Sequence, residues 1–316
     1  MKELPPTPMP AGQFIHEERA DIPVSLDAFP PNKIAERAED VGVSKAKLDF
    51  WTLLTLAVLA GAFIALGAVF STTVTAGADG RVYFGMVRLL GGLTFCLGLI
   101  LVVVAGAELF TGNNLIIMAF VSGKVSLFQL LRNWGIVYLG NFIGSIATAG
   151  IMLVCSRYKF GHGVIWLNAL NIADAKCSKD FIDLLALGTM CNALVCLAVW
   201  LCWGARSTTD KILAIVFPIT AFVAAGFEHS VANMYFIPAG ILVKTFAPPE
   251  FWILIGKTAA DFPNLTWHNF FWVNLIPVTL GNIIGGSFLV GLVYWFAYRR
   301  TRGLHLQLFF DPNEKP

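Results

Sequence analysis

"GFEHSVANMYFIPAG" (226–240) sets a glutamate and a histidine side by side inside an apolar run. The run extends from Ile212 to Val243, and between Lys211 and Lys244 the only acidic or basic side chains are Glu228 and His229. Charged groups in hydrocarbon are costly and mark functional or structural sites. A second run, Leu89–Gly123, is flanked by Arg88 and Lys124 and holds a single acidic residue, Glu108. In both runs an asparagine follows five residues after the glutamate, in "ELFTGN" (108–113) and "EHSVAN" (228–233). Continuous helices over 35 and 32 residues would be about 52 and 48 Å long. Hydrocarbon is about 30 Å thick. An ordinary kink with one buried polar contact could explain either run alone. Matched flanks and matched spacing point instead to two helices broken at Glu108 and Glu228, with Asn113 and Asn233 supporting the breaks. Gly106 and Gly112 flank the first break and Gly226 begins the second.

Working outward, further apolar runs cover 50–78, 133–156, 184–205 and about 269–298, which makes six spans in all. Only 13% of the 316 residues are charged and mean hydropathy is +0.71, so the chain reads as an all-α polytopic membrane protein. A net charge of +2 without a basic aromatic stripe argues against nucleic acid. Three spans per half is an odd number, so the repeated halves, about 48–156 and 181–300, must be inverted with respect to each other. "YLGNFIGS" (138–145) and "TLGNIIGG" (279–286) echo each other in the third and sixth spans. Inverted repeats with interrupted helices at matching positions mark transporters and channels. Residues 1–29 read as a flexible polar tail, 30–47 as a short amphipathic helix behind an Asn32 cap, and 301–316 as a C-terminal tail. Six spans place both tails on one side. That side carries 14 Lys and Arg against eight on the other, which favours cytoplasmic termini.

The motifs "AELFTGN" (107–113), "GFEHSVANM" (226–234), "NALVCLAVW" (192–200) and "NLIPVTLGNIIGG" (274–286) resemble the formate/nitrite transporter family, most closely its formate channel branch. The likeness runs from about residue 30 to residue 300. It implies an aquaporin-like protomer of six helices with the second and fifth broken, assembled as a homopentamer in a bacterial inner membrane with one pore per protomer. It implies formate and related small monovalent anions as substrates, with protons, and pyruvate formate-lyase as a partner at the cytoplasmic face. Residue by residue, it implies that Leu109, Phe110 and Thr111 form the loop beside the constriction and that His229 is the central pore histidine. Phe95, Leu99 and Phe222 would form the apolar rings, Asn192 and Asn282 would line the pore, and Lys176 would stand in the outer vestibule. Glu108 and Gly112 depart from the aspartate and serine of the formate channel, which leaves the mobility of the loop in question.

From the residues alone, His229 is the one side chain in the spans whose unperturbed pKa, about 6.5, lies near neutrality. It could donate a proton to a passing anion or hold it by a hydrogen bond, with Thr111 as a partner from the opposite repeat. Phe95, Leu99 and Phe222 read as ordinary core without the resemblance, and Lys176, with Arg157, Lys159 and Lys179, as a solvated loop. Glu108 and Glu228 are expected to accept hydrogen bonds from unwound backbone N–H groups. The chain is read as a transporter and not an enzyme, without metal or cofactor. A haem subunit would need paired axial ligands, and of five histidines only His229 lies well inside a span. Within the same family, nitrite or hydrosulfide is the alternative substrate, and a proton-coupled carrier of short-chain carboxylates the alternative mechanism.

Overall fold

The structure, a computed structural model, describes residues 27–78, 80, 82–155 and 159–300. Most of the N-terminal tail, the C-terminal tail and Arg157 lie outside the described residues. Helices in chain order are α1 (Pro31–Ala46), α2 (Phe50–Val74), α3 (Phe84–Ala105), α4 (Phe110–Val121) and α5 (Leu127–Val154). They are followed by α6 (Val164–Cys177), α7 (Phe181–Gly204), α8 (Thr208–Ala225), α9 (Ser230–Phe246), α10 (Pro249–Ile255) and α11 (Asn269–Tyr298). Among the described residues six of these (α2, α3, α5, α7, α8 and α11) are long and apolar enough to cross a membrane. The two short helices α4 and α9 continue α3 and α8 beyond breaks at 106–109 and 226–229, so the second and fifth crossings are the broken ones. Helix α11 is wound wider than an α-helix at Asn269–Leu275 and Ile284–Leu292.

The echoed "LGNxIG" motifs fall where helices approach most closely. A Cβ on Gly144 of α5 would lie 2.0 Å from the Val58 carbonyl oxygen of α2, and one on Gly285 of α11 would lie 2.0 Å from that of Thr189 on α7. In lipid no hydrophobic drive brings helices together, so small residues that admit backbone contact do this work. Gly144→Ala is therefore expected to lower stability by about 1–3 kcal/mol through overpacking. Thermal unfolding in detergent checks this, with Gly150→Ala, whose Cβ meets nothing within 4 Å, as the control.

Helix α1 docks on the protein. Its buried face, with Ile34, Ala35 and Ala38, packs with Met118 of α4 and Trp200 of α7. Its N-cap is Pro30 rather than the expected Asn32, because Pro31 already occupies the first helical turn, where a missing N–H costs nothing. Buried Glu39 ties three segments of this face together. It pairs with Lys124 at 2.7 Å, accepts from Ser122 at 2.6 Å, and is gripped by the Arg299 guanidinium at 2.8 and 2.9 Å. Burial opposes ionisation of Glu39, but the hydrogen bonds from Arg299, Lys124 and Ser122 outweigh it and hold the carboxyl below its ordinary value of 4.5. A depressed carboxylate pKa gives stability that is present above the unfolded value and lost as pH falls through the folded one. Docking of α1 should thus be unchanged between pH 8 and 5 and loosen only in stronger acid. Hydrogen exchange of the α1 amides across that range measures it.

Both ends of the described chain, with 122–126 and 205–207, lie on one face, here the terminal face. Helices α6 and α10 cap the opposite, distal face.

Candidate functional site

The two breaks are built alike. Gly106 and Gly226 end α3 and α8 with φ of 82° and 79°, the left-handed conformation that glycine adopts freely. The unwound backbone then finds partners on neighbouring helices. The Phe110 N–H donates to Asn141 Oδ1 at 2.9 Å, while Asn141 Nδ2 donates to the carbonyls of Glu108 and Ala57. In the second break the Ser230 N–H donates to Asn282 Oδ1 at 2.9 Å, and Asn282 Nδ2 donates to the carbonyls of Glu228 and Gly188. Asparagine, not glutamate, therefore satisfies the freed groups, contrary to the expectation from sequence. An amide both donates and accepts, whereas a carboxylate only accepts.

The glutamates instead bind lysines. Glu108 accepts from Lys45 Nζ at 2.6 Å and from Asn113 at 2.7 Å. Glu228 accepts from Lys176 at 2.8 Å, Lys179 at 2.9 Å and Asn233 at 2.8 Å. Asn113 also donates to Asn133, which donates to the Lys45 carbonyl, and Asn233 donates to Asn274, which donates to the Lys176 carbonyl. Lys45 ends α1 and Lys176 ends α6, so these helices are counterparts and the repeat begins before the first and fourth spans. The region of Lys176 is helix α6, not a solvated loop, and its side chain is only 15% exposed. Lys45, Asn141, Asn133 and Asn274 escaped the sequence reading. A faint signal existed: "KAKLDF" (45–50) and "KCSKDF" (176–181) share a lysine four residues before an Asp-Phe pair.

Where the halves differ, the site appears. His229 occupies the place of Leu109, and Thr111 that of Val231. His229 Nε2 lies 3.0 Å from Thr111 Oγ1, across the two repeats. Its Nδ1 accepts the Ala232 N–H at 3.1 Å and caps α9. With an N–H pointing at Nδ1, the proton of the neutral ring resides on Nε2 and is offered to Thr111. Phe222 stacks on the imidazole at 6.0 Å and meets Phe95 edge-on at 5.7 Å.

This group separates two cavities. The distal one, about 430 Å³, is lined by Phe95, Phe222, His229, Arg88, Lys176 and Lys179 among others. The terminal one, about 260 Å³, is lined by Leu99, Leu109, Lys45, Glu108 and Asn113 among others. Phe95 and Phe222 thus stand on one side of the Thr111–His229 pair and Leu99 and Leu109 on the other. Phe110 lines neither cavity. It packs edge-on against Tyr138 at 4.9 Å and lines an apolar groove between α5 and α11. Asn192 and Asn282 are fully buried and also line neither cavity; Asn192 donates to the carbonyls of Thr111 and Asn282 and to Asn114.

Comparison with known proteins gives consistent matches. The sequence profile described as formate/nitrite transporter fits residues 32–296. The chain is 46% identical over 287 residues to the formate channel FocA of Escherichia coli K12, covering 91% of this chain and 100% of that protein. It is 40% identical over 269 residues to FocA of Haemophilus influenzae, covering 85% and 94%. A solved pentameric formate channel with formate bound superposes with a TM-score of 0.76 at 47% identity, over 79% of this chain and 97% of that one.

Proposed function

The chain belongs to the formate/nitrite transporter family, and from that premise we propose that it conducts formate and similar small monovalent anions through a pore within each protomer of a homopentamer. The observation that carries this reading is the Thr111–His229 hydrogen bond, 3.0 Å long, set between apolar rings that divide two cavities. An anion leaving water for an apolar constriction loses its hydration, at high cost unless protein donors replace it. His229 Nε2–H and the Thr111 hydroxyl are two donors 3.0 Å apart. A small carboxylate that comes within reach of both and displaces their mutual bond accepts from both. A longer carboxylate brings an alkyl chain against Phe95, Phe222, Leu99 and Leu109, which must move.

Handing the Nε2 proton to the anion would require the ring to take up another at Nδ1. The Ala232 N–H already occupies that lone pair. The geometry therefore favours a hydrogen bond from neutral imidazole over proton transfer, and a channel over a proton-coupled carrier. The lysine and arginine distribution supports cytoplasmic termini in the bacterial inner membrane, so the distal cavity opens outward.

The test is flux in proteoliposomes for formate, nitrite, hydrosulfide, acetate, lactate and water, with pH recorded on both sides. Formate should pass fastest, and without stoichiometric proton movement. Faster nitrite or hydrosulfide would reassign the substrate within the family, and strict proton coupling would overturn the channel reading. Native mass measurement in lipid should give pentamers; monomers or dimers would contradict the assembly.

A further inference from the structure

The two breaks share their glycines, amides and ion pairs, yet they are not wound alike beyond them. Helix α9 runs as a regular α-helix from Ser230 to Phe246, whereas α4 tightens to a 3-10 helix at Asn114–Ile116, one turn past the break. Such a stretch inside a helix has poorer hydrogen-bond geometry and is a natural hinge. Asn114 begins this stretch and bridges it. Its Nδ2 donates to the Phe110 carbonyl at 3.3 Å, and its Oδ1 accepts from Asn192 Nδ2 of α7 at 2.8 Å. Its own carbonyl accepts from Ser287 Oγ of α11 at 3.2 Å. The Thr111 carbonyl, between these contacts, accepts from Asn192 Nδ2 at 3.2 Å and from Cys196 Sγ at 3.3 Å. At the second break the matching carbonyl, of Val231, has a single side-chain donor among the described residues, Ser145 Oγ at 3.5 Å.

Three departures from the internal repeat converge on this point. Six residues after the two glutamates stand Asn114 in the first half and Met234 in the second. Twelve residues after Asp49 and Asp180 stand Gly61 and Asn192. The echoed motifs end in Ser145 and Gly286. Gly286 makes the room: a Cβ there would lie 2.4 Å from Asn192 Nδ2, 2.8 Å from Cys196 Sγ and 2.9 Å from Asn114 Cβ. Asn114, Asn192 and Cys196 are fully buried, where an amide left without partners would be costly. Two amides and the glycine that admits them therefore form one device, and it stands directly behind Thr111.

We propose that Asn114 is a positioning residue: with Asn192 it pins the first break, so that Thr111 stands as a fixed donor opposite His229. This rests on the formate-conducting reading above and adds to it a specificity device. The 3.0 Å between Thr111 Oγ1 and His229 Nε2 is set from both sides. His229 is held by its own cap on α9. Thr111 is held through the backbone that it shares with Phe110 and Asn114. A surface that can repack accepts ligands of several shapes, whereas donors held in place reward the one that fits. A pinned Thr111 thus favours formate over a carboxylate with an alkyl chain.

Hydrogen exchange and a flux ratio test it together, on the full chain in lipid. In the wild type the amides of 108–114 should be as well protected as those of 228–234, since both breaks are held. Asn114→Leu keeps similar bulk and removes the amide. It should raise exchange at 108–114 about tenfold and leave 228–234 unchanged. It should also lower the ratio of formate to acetate flux about threefold or more. Met234→Leu, at the matching position of the second half, should change neither. A group needed only for folding would lower formate and acetate flux together and leave their ratio intact, and that result would overturn the proposal. Unchanged exchange at 108–114 in Asn114→Leu would overturn it too. Wild-type exchange that is clearly faster at 108–114 than at 228–234 would do the same, even if the variant fails to fold. Wild-type protein without formate flux would bring down the formate reading itself, while the exchange comparison would still decide whether the first break is pinned.

Discussion

His229→Asn is expected to fold and assemble as the wild type does and to lose formate flux by about one to two orders of magnitude. Asparagine is among the best N-capping residues, so its Oδ1 can replace Nδ1 as acceptor for the Ala232 N–H and keep α9 in place. Its amide is too short to reach Thr111 as Nε2 does. What disappears is a hydrogen bond to a charged permeant, worth about 1.5–3 kcal/mol. At about 1.4 kcal/mol per factor of ten, that sets the size of the loss. Flux with substrate and detergent melting without it separate the two roles. Wild-type flux in this variant would make His229 a capping residue only. His229→Phe should lose flux similarly and, lacking a cap acceptor, also lose about 1 kcal/mol of stability.

Glu228→Ala should be the most destabilising single truncation at the breaks. It leaves Lys176 and Lys179 beside each other without their counter-charge and takes an acceptor from Asn233. Removing one partner of a buried ion pair costs about 3–5 kcal/mol. Glu108→Ala should cost less. Its single lysine, Lys45, is 24% exposed and already shares its charge with Asn113 Oδ1 at 3.0 Å. The fall in melting temperature should therefore rank Glu228→Ala well ahead of Glu108→Ala. The reverse order would mean that the second break is held by the Asn282 amide rather than by the ion pairs of Glu228.

The breaks could be read from sequence because two carboxylates have no other place in hydrocarbon, and because glycine precedes each at the helix end. The inversion followed from counting spans. The partners of those carboxylates could not be read in the same way. Lys45 and Glu108 are 63 positions apart, and Lys176 and Glu228 are 52 apart, so only the folded chain brings them together. Helix α6 was hidden because "WLNALNIADAKC" (166–177) is too polar for a span, although Ile165, Leu170, Ala173 and Cys177 form its buried stripe. The role of asparagine at 141 and 282 was visible as a repeated "LGN" but not as a brace, since spacing does not show which way an amide turns. Phe110 lay in the correct loop, yet whether a residue at a break faces the pore or the membrane is set by its backbone angles. Here, they send the ring toward Tyr138.

Conduction turns on a neutral imidazole that offers its Nε2 proton across the repeats to the permeant. Nitrogen-15 NMR of histidine-labelled protein in lipid observes this directly, with His229→Asn identifying the signal among five histidines. At neutral pH the His229 signals should be those of the Nε2-protonated tautomer, and formate should shift Nε2 while leaving Nδ1 nearly unmoved. A ring protonated at Nδ1, or one whose signals ignore formate at concentrations that support flux, would contradict it.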